Sequence, residues 1–112
     1  MATELAPARV RDCLDACERC IEACEVCEQQ CIAAADAAMV ECARLCLDCT
    51  ALCHACITLL ARESRFYPAL CGVCAVACEA CAQECGRYDD EVMRQCAEVC
   101  RAAAEQCRRL AA

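Results

Sequence analysis

Sulfur is the reactive element of this sequence. Nineteen of its 112 residues are cysteine, and they fall into four strings. The first holds Cys13, Cys17, Cys20, Cys24, Cys27 and Cys31; the second Cys42, Cys46, Cys49, Cys53 and Cys56. The third holds Cys71, Cys74, Cys78, Cys81 and Cys85; the fourth Cys96, Cys100 and Cys107. Steps of three and four residues alternate, and in the last string a step of seven passes over Ala103. A mean step of about 3.5 is the period of a bundle seam on an α-helix. Thiols therefore stand where Leu and Ile normally fill a core. Such a column has three chemistries open to it: thiolate binding of soft metals, disulfide formation, or inert packing.

Inert packing is disfavoured because Cys sacrifices buried apolar area relative to Leu at every seam position. Disulfides within one helix are disfavoured by geometry. Neighbours three or four apart place their Cβ atoms about 5–6 Å from each other, whereas a disulfide needs about 3.5–4.5 Å. An odd count also leaves one thiol without a mate. Bridges between helices remain open, so a disulfide-stapled helical interaction module stands as one alternative.

Among thiophilic metals, iron–sulfur clusters draw their cysteines from wrapping loops, and these strings lie inside continuous helical patterns. A zinc or cadmium thiolate buffer is the stronger rival. Four thiolates around Zn(II) leave a net charge of −2, and several such sites stacked in a low-dielectric core repel one another. Cu(I) bridged by shared thiolates approaches one ion per sulfur with little net charge, and it accepts two or three ligands. With bonds of about 2.3 Å, two opposed sulfurs stand about 4.6 Å apart, a span within reach of an i,i+4 pair. Cu(I), in multiple ions at roughly one per cysteine, is the favoured cargo.

Met39 precedes Cys42 by three residues and Met93 precedes Cys96 by three, so both extend thiol columns. A thioether binds Cu(I) without losing a proton, and more weakly than thiolate, which suits an entrance. At the other end Leu59, Leu60, Phe66 and Leu70 read as a hydrophobic stopper. His54 follows Cys53 and reads as a helix-surface residue rather than a ligand.

These side chains need four helices to hold them. The pattern predicts helices over about 8–34, 38–62, 68–86 and 89–110 within one domain, residues 1–112. Pro7 suits a first turn, Asp36 and Asp89 or Asp90 suit N-caps, Pro68 opens the third helix, and Gly86 is expected in the left-handed region. Short connections give an all-α, antiparallel up-down-up-down four-helix bundle with a cysteine-lined core. Antiparallel threading brings Met39 and Met93 to the same end. It predicts layers such as Cys20, Cys49, Cys78 and Cys100, with Ala103 taking the place of a fourth thiol beside Cys17, Cys53 and Cys74. Val26, Val73 and Val76 point outward, toward an oligomer surface.

A formal charge of −7 argues against nucleic acid, since no basic face is available to release counterions. The uncharged runs are too short to span a bilayer, which argues against a membrane. The stretch Met1–Arg9 has no apolar core of a secretory signal. A cytoplasmic location follows as an expectation. One histidine and no polar cleft signal argue against an enzyme.

Taken together, the repeated C-x2-C and C-x3-C units on four helical columns resemble the cytosolic class of bacterial copper storage proteins. The likeness covers essentially the whole chain and is most specific over Leu70–Cys85, LCGVCAVACEACAQEC. The resemblance implies a four-helix bundle, often a homotetramer, whose core stores or detoxifies many Cu(I) ions. It further implies that all nineteen cysteines are ligands, with Met39 and Met93 at the mouth. Two departures are Ala103 on the seam and the lone His54 toward the stoppered end, where relatives often place histidine near the mouth.

Overall fold

In a computed structural model, which describes residues 6–112, four α-helices follow one another: α1 (Ala8–Ala34), α2 (Val40–Ala61), α3 (Tyr67–Cys85) and α4 (Glu91–Leu110). The segment Met1–Leu5, and with it most of the stretch read for a signal, lies outside the described residues. Each helix packs on its neighbour in sequence, and α4 closes the ring against α1. The result is the expected up-down-up-down bundle, with principal extents of 48 × 31 × 17 Å.

The helix ends have identifiable causes. Pro7 precedes α1 and Pro68 sits in the first turn of α3, where a missing N–H costs nothing. Asp90 caps α4 through its carboxylate, which accepts from the Met93 N–H at 3.1 Å. Asp36 also caps, accepting from the Ala38 N–H at 2.9 Å. It caps a short 3-10 turn, Ala37–Met39, rather than α2 itself. Met39 therefore lies one residue before α2, at its N-cap.

Gly86 departs from expectation. Its φ of −68° is right-handed, so conformational freedom is not why glycine stands there. A Cβ at this position would meet the Ala82 carbonyl oxygen at 3.0 Å and the movable Arg101 guanidinium at 3.2 Å, so crowding against the last carbonyls of α3 is the main constraint. The left-handed residue is instead Ala35, with φ 51° at the end of α1. A second, Glu63 with φ 50°, lies in the α2–α3 connection.

All nineteen cysteines are buried. Around them Ala75 and Ala82 on α3 and Ala97 and Ala104 on α4 are buried too, small side chains that let these helices approach closely. No polar or charged residue is buried among the described residues. The closed end is built from Leu60 and Val10, both fully buried, with Ala6 beside them. Leu59 and Leu70 are only half-buried. Phe66, expected in this plug, is 60% exposed and instead lies under the Arg65 guanidinium. It sits at the N-cap of α3, on the solvent side.

The segment Ala37–Ala61 is long and apolar enough to cross a bilayer by length and composition. Its apolarity comes from Leu, Ile and Val together with five cysteines, and the cysteines face the bundle interior. Its outer face carries Glu41, Arg44, Asp48 and His54, all exposed.

Candidate metal centre

The helix period turns all four cysteine strings to one axis, and antiparallel packing brings them together there. Sulfurs from different helices lie within van der Waals reach. Cys20 Sγ stands 3.9 Å from Cys49 and Cys78 and 3.7 Å from Cys100. Cys53 lies 3.7 Å from Cys74, and Cys46 lies 3.8 Å from Cys81. No pair is bonded as a disulfide; every thiol is free.

The layers are staggered rather than flat. Cys107 reaches both Cys13 at 3.7 Å and Cys17 at 4.0 Å, and Cys100 reaches both Cys20 at 3.7 Å and Cys24 at 3.8 Å. The sulfurs of α4 thus sit between those of α1, as knobs sit in holes. This has a consequence at Ala103, which is fully buried on the seam. The vacancy expected beside Cys17 and Cys74 is closed by Cys107 from the adjoining turn, giving a group of Cys17, Cys56, Cys74 and Cys107.

Further groups within 4.8 Å are Cys20, Cys24, Cys49 and Cys100; Cys24, Cys81, Cys96 and Cys100; Cys27, Cys46, Cys85 and Cys96; and the trio Cys13, Cys71 and Cys107. Neighbouring groups share corners: Cys24 and Cys100 belong to two, and so does Cys96. A shared sulfur is a bridging ligand. The column is thus a continuous thiolate lattice in prospect, not a row of separate cages.

Burial opposes ionisation of these thiols, as expected for sulfur in apolar surroundings. Hydrogen bonding with neighbouring sulfurs, and burial after it, hold the protons of Cys24, Cys53, Cys78 and Cys100 above the ordinary thiol range. The same network displaces Cys20, chiefly through Cys100, and Cys74, chiefly through Cys107, the other way. At the rim, burial first and then Cys42 push the Cys31 thiol up to about 11. Loading with metal must therefore displace protons.

The two ends differ. Opposite the Leu60 plug, Cys31 and Met39 line a surface groove of about 440 Å³ together with Ile32, Val40, Ala43 and Leu47. Met39 is half-buried at this rim, and Met93 is fully buried one turn before Cys96. The Tyr88 hydroxyl donates to the Ala38 carbonyl at 2.8 Å, and the Gln30 amide donates to Asp90 at 3.2 Å. These bonds tie the α3–α4 turn to the α1–α2 turn and to the last turns of α1, so both methionines stand at one end, as the threading predicts. His54 is exposed and belongs to none of the thiol groups named above. Two features escaped sequence reasoning: the half-step offset of α4, and the groove that gives Cys31 its route to solvent. Neither has a periodic signature in the sequence.

Comparison with known proteins agrees with this geometry. The family model described as copper storage protein matches residues 6–112. No curated protein sequence matches the chain. Among solved structures, apo copper storage protein 3 from Bacillus subtilis is 35% identical, with a TM-score of 0.85 over 92% of this chain and 99% of that one. The Cu(I)-bound copper storage protein BsCsp3 is 34% identical, with a TM-score of 0.86 over 93% of this chain and 99% of that one. The copper storage protein Ccsp from Streptomyces lividans, loaded with 10 copper equivalents, is 30% identical, with a TM-score of 0.84 over 98% of this chain and 91% of that one. A bundle that turns every thiol inward, matched over nearly its whole length, makes this chain a member of the copper storage protein family.

Proposed function

We propose that this protein stores copper as Cu(I) in the cytoplasm, bound by all nineteen cysteines at about one ion per thiol. The observation that carries this reading is a core of corner-sharing thiols with no buried cation among the described residues. Zinc in each group of four would leave −2 per site with nothing nearby to offset it, and shared corners prevent adjacent groups from filling independently. Monovalent copper bridged by thiolates stays close to neutral as the column fills. Its relatives include a structure named as Cu(I)-bound.

Met39 and Met93 act at the mouth. Copper meets the half-buried Met39 thioether beside Cys31, passes Met93, and exchanges onto thiolates as their protons leave. The Leu60–Val10 plug closes the other end, so loading proceeds from the groove inward. The chain works as one domain and not as an enzyme, since its chemistry is ligand exchange at buried sulfur. Exposed Val26, Val73 and Val76 support self-association, with the tetramer as the expected state.

The test is anaerobic titration of the reduced protein with Cu(I) against a competing chelator, repeated with Zn(II). Uptake near one Cu(I) per thiol, with zinc saturating at a few ions, is the expected result. Equal small stoichiometries for both metals would overturn the storage reading.

A further inference from the structure

One thiol triangle is tighter than its neighbours in the column, such as Cys20, Cys49 and Cys78 with sides of 3.9, 3.9 and 3.4 Å. Cys27 on α1, Cys42 on α2 and Cys85 on α3 form a triangle with sides of 3.7, 3.6 and 3.1 Å. All three are fully buried. Each comes from a different helix, so the triangle is held by the fold and not by one flexible loop. It lies at the groove end of the column, toward Cys31 and Met39. The sequence layer places Met93 in the fourth position, and the structure brings the Cys96 sulfur of α4 to 3.9 Å from Cys85, outside the triangle.

The mean side of about 3.5 Å puts each sulfur about 2.0 Å from the triangle's centre. A planar three-coordinate ion with bonds of about 2.3 Å would need sides of about 4.0 Å. In the triangle as it stands, an atom with such bonds sits about 1.1 Å above the sulfur plane. That is a trigonal pyramid. It is the geometry of a trivalent p-block centre carrying a lone pair, for which three thiolates complete the valence and a fourth donor is not needed.

We propose that Cys27, Cys42 and Cys85 form a binding site for trivalent arsenic, taken from arsenite. The reaction balances without an oxidant. As(OH)3 meets three thiols, three As–O bonds break and three As–S bonds form. Each thiol proton leaves with a hydroxide as water, arsenic stays trivalent, and the product is neutral. Neutrality matters here because the core holds no charged partner among the described residues, and reactant and product alike bring no net charge into it. The site does not depend on copper storage, and it extends the cargo from a monovalent metal to a thiophilic metalloid.

The experiment is anaerobic titration of the reduced, metal-free protein with sodium arsenite, followed by native mass spectrometry and arsenic X-ray absorption. At one equivalent the expected adduct gains one arsenic and loses three hydrogens, with three sulfur neighbours. Cys42→Ser and Cys85→Ser should each weaken the first equivalent by about a hundredfold or more, the effect of removing one arm of a chelate. Cys56→Ser, at the plugged end, should leave it unchanged. Helical circular dichroism identifies which serine variants are folded, and either folded variant suffices. An adduct that has lost fewer than three hydrogens would overturn the proposal, as would first-equivalent binding that survives in a folded Cys42→Ser or Cys85→Ser protein. Copper uptake measured on the same samples reports separately on the storage reading.

Discussion

Replacing Cys100 with alanine tests whether shared corners matter. Cys100 is fully buried, lies 3.7 to 3.9 Å from Cys20, Cys24 and Cys96, and belongs to two thiol groups. Removing its sulfur leaves a cavity of roughly one methylene, a loss of about 1 kcal/mol in transfer and cavity terms together. The apo-protein should melt about 5 °C lower and remain helical. Copper capacity should fall by about two ions, because one bridging ligand serves two groups. Cys31→Ala, at the rim and outside the groups of four named above, should cost no more than one. The assay is anaerobic Cu(I) titration of both variants beside the parent, with circular dichroism melts of the apo forms. If Cys100→Ala loses no more copper than Cys31→Ala, the corner-sharing argument is wrong.

Four other perturbations have defined outcomes. Met93→Leu keeps the volume of a fully buried side chain and removes the thioether, so capacity should hold while loading slows in stopped-flow mixing with Cu(I). Tyr88→Phe removes the 2.8 Å bond to the Ala38 carbonyl; stability should drop by about 1 kcal/mol, with faster hydrogen exchange at residues 37–39. Ala35→Gly relieves the left-handed strain at φ 51° and should raise stability by about 0.5–1 kcal/mol, read from a denaturant melt. The Cys31 thiol, raised from 9.0 to about 11, favours the fold below pH 9 and loses that contribution as pH rises through 11. The Cys31 contribution to apo stability should therefore decline across that window, read as the difference between the parent and Cys31→Ala, whereas copper affinity should fall in the opposite direction, as acid returns protons to the thiols.

The fold was legible because thiols alone repeat at 3.5 residues, and a stripe that regular has only one way to be buried. Cys20, Cys49, Cys78 and Cys100 meet as the threading requires. What could not be read was axial offset. Side chains one turn apart on α4 interdigitate with those of α1, and a helical repeat carries no record of translation along its own axis. Gly86 departs for a different reason: its place at a helix end suggests a left-handed backbone, while the actual constraint is space beside the Ala82 carbonyl oxygen. Phe66 was placed in the plug by hydrophobicity alone, and hydrophobicity does not fix which side of a turn faces water. The methionine end was legible from register, and the groove beside Cys31 was not, because a surface concavity between two helices has no periodic signature.

The central claim is that copper resides on the bundle axis among thiols, and copper-edge anomalous diffraction from copper-loaded crystals tests it most directly. The predicted result is a column of peaks inside the helices, each about 2.3 Å from two or three cysteine sulfurs and about as many in number as the thiols. Peaks confined to the acidic outer faces, or an empty axis between intact helices, would contradict it.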